Sequence, residues 1–67
     1  MIYSDSTTQA YILNLKMINN DLAQMIHRAD ICEAAAPNSD ESGFANLLNA
    51  SLHELRKIIS NKIAELT

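Results

Sequence analysis

Apolar side chains recur along the first half of the chain at steps that alternate between four and three residues. The residues in this series are Tyr11, Leu15, Ile18, Leu22, Met25, Ala29, Cys32 and Ala36. Such a heptad repeat predicts a helix whose apolar seam packs lengthwise against another helix. Ile12 and Ile26 widen the seam on one side. Ser6 and Gln9 have the spacing of a capping box, so this helix is expected to begin at about residue 6.

The second half of the chain carries a similar apolar stripe. It consists of Leu48, Leu52, Leu55, Ile59, Ile63 and Leu66, and it is broadened by Phe44, Leu47, Ser51 and Ile58. Between the two series lie the only proline and the only glycine of the chain, Pro37 and Gly43. Proline disfavours helical geometry in the residue before it, so it predicts the end of the first helix. Asn38 or Ser39 can cap the second helix.

These patterns predict an all-α fold in which residues 1–67 form one domain, an antiparallel two-helix hairpin. Helix 1 is expected over about 6–36, the turn over 37–42 and helix 2 over about 43–66. Residues that face each other across a hinge near residue 40 should have numbers that add to roughly 80. The five residues that precede helix 1 are expected to form a frayed lead.

The apolar surface is larger than one seam between two helices can bury. A chain of 67 residues is near the lower limit for independent folding, and its core rarely contributes more than about 3–5 kcal/mol. Apolar positions beside the seams are therefore predicted to form a protein interface. These positions are Leu13, Met17, Ile31, Phe44, Leu47 and Ile58. We expect the hairpin to dimerise into a four-helix bundle or to dock on a partner protein.

The charge balance disfavours nucleic acid and anionic membranes as partners. Eight acidic residues outnumber five basic ones, and the net charge is −3, whereas both kinds of partner are bound by clustered lysine and arginine. Arg56, Lys57 and Lys62 form a small basic cluster, to which Arg28 can contribute across the hairpin. An RNA-binding helical bundle is therefore a less favoured alternative. The apolar runs are too short for a transmembrane helix.

Residues capable of metal binding or catalysis are few. His27, Asp30 and Cys32 are of metal-ligand type, and His53 falls opposite His27 in the hairpin register. However, the heptad pattern places Cys32 in the seam and His27 on the far side, so no metal, cofactor or catalytic site is predicted. Cys32 is expected to be a small buried apolar residue. A single cysteine cannot form an internal disulfide, which fits a cytoplasmic location.

The small size, the two-helix layout and an aromatic residue soon after the turn, Phe44, resemble the co-chaperones of type III secretion needle subunits. This resemblance implies a helical hairpin that binds another protein. The predicted function is that of a small non-enzymatic protein-binding regulator or adaptor, which acts through a wide apolar helical face as a homodimer. A co-chaperone-like protein and a structural oligomer subunit are the alternatives.

Overall fold

The structure, a computed structural model, describes residues 6–67, which form two packed helices. Helix α1 spans Ser6–Ala35 and helix α2 spans Ser39–Leu66. The helices pack along their length into a hairpin with extents of 51 × 15 × 11 Å between Cα atoms. The predicted all-α helical hairpin is confirmed. The expected lead, residues 1–5, lies outside the described residues.

The turn between the helices is shorter than predicted, since only residues 36–38 separate α1 from α2. Asn38 has an extended backbone with φ −156° and ψ 175°. Its Oδ1 accepts a hydrogen bond of 2.9 Å from the backbone N–H of Glu41, so Asn38 is the N-cap of α2. Helix α2 therefore begins at Ser39, before the predicted start at residue 43. The predicted start was wrong because this cap is strong enough for the helix to continue through Gly43.

Gly43 is a helical residue without a structural need for glycine. A Cβ atom built at this position meets nothing within 4 Å, and its backbone has no positive φ. We expect Gly43→Ala to stabilise the protein by about 0.5–1 kcal/mol, because glycine in a helix loses more backbone entropy on folding than alanine does. Urea unfolding at one fixed protein concentration measures the change.

Ala50 provides the matched control for this prediction. It is exposed and lies seven residues after Gly43, on the same line of α2. Ala50→Gly should destabilise the protein by about as much as Gly43→Ala stabilises it. A lower unfolding midpoint for Gly43→Ala would contradict the prediction.

The buried core of the hairpin is small. Its central cluster consists of Leu22, Ile26, Ala29 and Leu52, with Ile59 packed against it. Ile12 and Ala45 are also buried, which gives six buried apolar side chains among residues 6–67. A core of this size contributes little stability beyond the entropy lost on folding.

The seam of α1 is rotated relative to the prediction. It includes Ile12, Leu15, Asn19, Leu22, Ile26, Ala29 and Glu33, which are buried or half-buried. The residues predicted for one edge of the seam are exposed instead, and for them the prediction was wrong. They are Tyr11, Ile18, Met25 and Cys32. The physical reason is that Asn19 and Glu33 enter the seam, where each bonds to a side chain of α2.

Helix α2 shows the same rotation. Leu52 is buried as predicted, but Leu48 and Leu55 are exposed. Ala45 and Asn49 are buried in their place. The predicted stripe residues Ile59, Ile63 and Leu66 are half-buried. Both helices therefore place one apolar line outside the seam.

Candidate protein-binding face

Hydrogen bonds between the helices close one side of the hairpin, which we call the bonded face. The bonded pairs are Asn19 with Ser60 at 2.9 Å, Asn46 with Glu33 at 3.3 Å, and Asn49 with Asp30. In each pair an asparagine Nδ2 donates to a side-chain oxygen on the other helix. The two residue numbers in every pair add to 79, close to the predicted sum.

The bonded face fixes the register but adds little stability. A shift of one residue between the helices would break all three hydrogen bonds. The Oδ1 atom of Asn19 is buried without a hydrogen-bond partner, and a buried unpaired acceptor typically costs about 1–3 kcal/mol. Asn49 takes a core position at which an apolar side chain would bury more apolar surface. The stability of the protein must therefore come largely from apolar burial elsewhere.

The opposite side of the hairpin is apolar. Cys32 lies two residues after Asp30 on α1, and Leu48 lies two residues after Asn46 on α2. Positions two apart on a helix are separated by roughly 160° around its axis. Cys32 and Leu48 therefore lie on the side away from the bonded face, where they line a shared groove with Met25.

We call this side the open face, and it is made of one apolar line from each helix. Tyr11, Ile18, Met25 and Cys32 form the line on α1, and Phe44, Leu48, Leu55 and Ile58 form the line on α2. The seven large side chains among them are between 41% and 63% exposed. Near the hinge, Ala35 and Phe44 border a second shallow groove with Cys32 and Leu48. The open face is thus an apolar surface that the hairpin itself does not cover.

The six predicted interface residues are all exposed, but they do not form one surface. Their exposed fractions lie between 54% and 65%. Phe44 and Ile58 belong to the open face. By helical periodicity, the remaining four lie on the outer sides of the helices, away from the seam. These are Leu13, Met17 and Ile31 on α1 and Leu47 on α2.

Sequence reasoning missed most of the open face as an interface. The heptad pattern predicts a place in the seam for Tyr11, Ile18, Met25, Leu48 and Leu55, and it therefore leaves them out of the predicted interface. The positions of the polar residues could have shown which side of each helix faces the seam. Three pairs of hydrogen-bonding residues share the same sum of residue numbers, which marks the side on which the helices meet through polar contacts.

The side chains with potential for chemistry are dispersed. Cys32 is a free, exposed cysteine, which corrects the expectation that it is buried. His27 lies in a shallow depression on the outer surface of α1, beside Gln24 and Ile31. Within residues 6–67, no group of three or more His, Cys, Asp or Glu side chains is placed to hold a metal ion. Lys62 Nζ lies 3.4 Å from Glu65 Oε2, so this base is paired within α2.

In the described part of the chain, neither helix has a stretch both long and apolar enough to cross a bilayer. Comparisons with the models of known protein families, with curated proteins and with solved structures found no significant match to this chain. Function is therefore inferred from the open face itself.

Proposed function

We propose that this protein is a small non-enzymatic regulator or adaptor in the cytoplasm, which works as a homodimer formed through its open face and binds another protein through its outer apolar residues. The observation that supports the proposal is the asymmetry of the hairpin. Its bonded face is closed by three hydrogen bonds between the helices, whereas its open face carries seven large apolar side chains that the hairpin does not cover.

The magnitudes favour binding over a solitary hairpin. Eleven large apolar side chains are at least 41% exposed, whereas six apolar side chains are buried in the described part of the chain. Covering a half-exposed leucine, isoleucine or phenylalanine contributes about 1 kcal/mol, half of the value for complete burial. Seven such side chains on the open face would together contribute about 7 kcal/mol, more than the roughly 3–5 kcal/mol that the core of a chain this small supplies. Exposed apolar patches of this kind mark interaction sites.

A dimer formed through the open face would still expose the outer apolar residues. Leu13, Met17, Ile31 and Leu47 remain the predicted contacts to another protein. A regulator or adaptor needs such a second surface, because its own dimer interface is occupied.

Affinity capture from the native host tests the proposal. We expect the wild-type protein to retain one dominant host protein, identified by mass spectrometry. Ile31→Asp changes the outer side of α1 and Leu48→Asp changes the open face, while Ala50→Asp places the same charge on the outer side of α2 as a control. Capture should be lost with Ile31→Asp and retained with Ala50→Asp.

The other outcomes separate the alternative functions. Loss of capture with Leu48→Asp alone would place the partner on the open face or make its binding depend on the dimer. A wild-type bait that retains no host protein would favour a structural oligomer subunit. The resemblance to type III secretion co-chaperones stays a prediction, and it requires that the retained protein be a secreted subunit.

A further inference from the structure

The apolar residues of the open face are concentrated in the half nearer the hinge. The hairpin register places Cys32 level with Leu48, and Met25 level with Leu55, in this half. In the far half the same register places Ile18 level with a charged residue, Lys62. The open face therefore has an apolar end and a more polar end, and a protein that covers it has to match both.

A second copy can cover the open face in two symmetric ways. If the two-fold axis runs along the hairpin, both hinges lie at the same end and α1 of one copy packs on α2 of the other. If the axis runs across the hairpin, the hinges lie at opposite ends and each helix packs on its own counterpart. Both arrangements make four-helix bundles with antiparallel neighbours.

The arrangement with both hinges at one end matches large side chains with small ones. An axis along the hairpin leaves every residue at its own level, so the intramolecular register also applies between the copies. Ala35 then lies opposite Phe44 of the second copy, and Cys32 lies opposite Leu48. Two large apolar groups near the hinge thus meet two small ones, as close packing favours.

The arrangement with hinges at one end sets one apolar residue of each copy, Ile18, against a charged residue, Lys62, whereas the arrangement with hinges at opposite ends sets two apolar residues of each copy against charges. With the copies centred on each other, Leu48 lies opposite Lys62 of the second copy and Phe44 lies opposite Glu65. This arrangement gains an ion pair in compensation, because Asp21 approaches Arg28 of the other copy. An exposed ion pair stabilises a protein far less than the burial of a leucine or a phenylalanine does.

We infer that a second copy of this chain occupies the open face, with both hinges at the same end of a four-helix bundle. The inference rests on the homodimer of the proposed function and adds its interface and orientation. The hairpin is 51 Å long and 15 Å wide, which corresponds to a projected face of roughly 750 Å². Stable interfaces bury about 600–1,000 Å² of surface on each partner, and a face of this size lies within that range.

The distance between the two hinges tests the orientation. Ser39 is exposed at the start of α2, and Cys32 is the single cysteine, so Ser39→Cys combined with Cys32→Ala carries one spin label per copy. Double electron–electron resonance on the dimer should give a distance of about 20–30 Å, as expected for flexible labels on two diagonally placed helices, which lie about 14 Å apart when neighbouring helices are about 10 Å apart. Hinges at opposite ends would be separated by nearly the hairpin length of 51 Å.

The reactivity of the Cys32 thiol tests, without any substitution, whether the open face is the dimer interface. Cys32 is exposed in the hairpin and covered in the inferred dimer. Its rate of reaction with a maleimide should fall by about tenfold or more as the protein concentration rises through the dissociation constant, because reaction requires access to the thiolate. Sedimentation velocity over the same concentrations defines the fraction of dimer.

The outcomes distinguish the inference from the proposal on which it rests. A short hinge distance together with protection of Cys32 supports the inference. A dimer with a hinge distance near the hairpin length overturns the orientation and leaves the homodimer in place. A dimer in which Cys32 reacts as fast as in the monomer overturns the open face as the interface. A protein that stays monomeric at high concentration overturns both the second copy and the homodimer of the proposed function.

Discussion

Replacement of Leu22 by aspartate is expected to unfold the hairpin. Leu22 is 6% exposed and belongs to the central cluster with Ile26, Ala29 and Leu52. Loss of a buried leucine typically costs about 2–5 kcal/mol, and a buried carboxylate without a partner adds to this cost. The whole stability of a chain this small is about 3–5 kcal/mol. Leu22→Asp should therefore lose its helical circular dichroism signal and its cooperative urea transition.

Asn20 provides the matched control for this substitution. It is exposed on the outer side of α1, two residues before Leu22. Asn20→Asp introduces the same side chain into the same helix, so it shares any effect of added negative charge on helix α1. We expect Asn20→Asp to keep the wild-type spectrum. A cooperative, fully helical Leu22→Asp protein would show that the central cluster does not hold the hairpin together.

The hairpin itself could be predicted from the sequence because its signals are local. The heptad steps define two helices, Pro37 ends the first, and Asn38 was one of two candidates for the cap of the second. The register could also be predicted, since a hinge near residue 40 fixes which residues are level with each other. Only the start of α2 differs from the predicted bounds of the second helix, because the helix begins directly after the Asn38 cap and continues through Gly43.

The side of each helix that faces its neighbour could not be predicted from apolarity alone. The apolar stripe of α1 is wider than one seam, so either Ile18 or Asn19 can occupy the seam position between Leu15 and Leu22. Hydrophobicity favours Ile18, but in the structure Asn19 is half-buried in the seam, where Ser60 of α2 accepts its hydrogen bond. This preference depends on a side chain more than forty residues away, which the periodicity of one helix does not contain. The same rotation turned the predicted seam residues into the open face.

Replacement of Leu55 by aspartate is expected to weaken self-association while the central cluster is preserved. Leu55 is 49% exposed and lies outside that cluster. In the inferred dimer it packs against Met25 of the second copy, and the symmetry places two such contacts in each dimer. The loss of apolar burial and the desolvation of a carboxylate should together cost about 2 kcal/mol per contact. About 4 kcal/mol per dimer corresponds to a dissociation constant raised roughly 1000-fold.

Sedimentation equilibrium over a range of concentrations measures this change, and circular dichroism at the same concentrations reports the helix content. Ala50→Asp places the same charge on α2 outside the open face, so its dissociation constant should equal that of the wild type. If Leu55→Asp dimerises as tightly as Ala50→Asp, the open face is not the surface on which the copies meet. If both variants lose the dimer equally, added negative charge rather than lost apolar contact is responsible. Leu55→Asp thus separates the role of the open face from that of the central cluster, because it removes an outward apolar contact and leaves the inward ones intact.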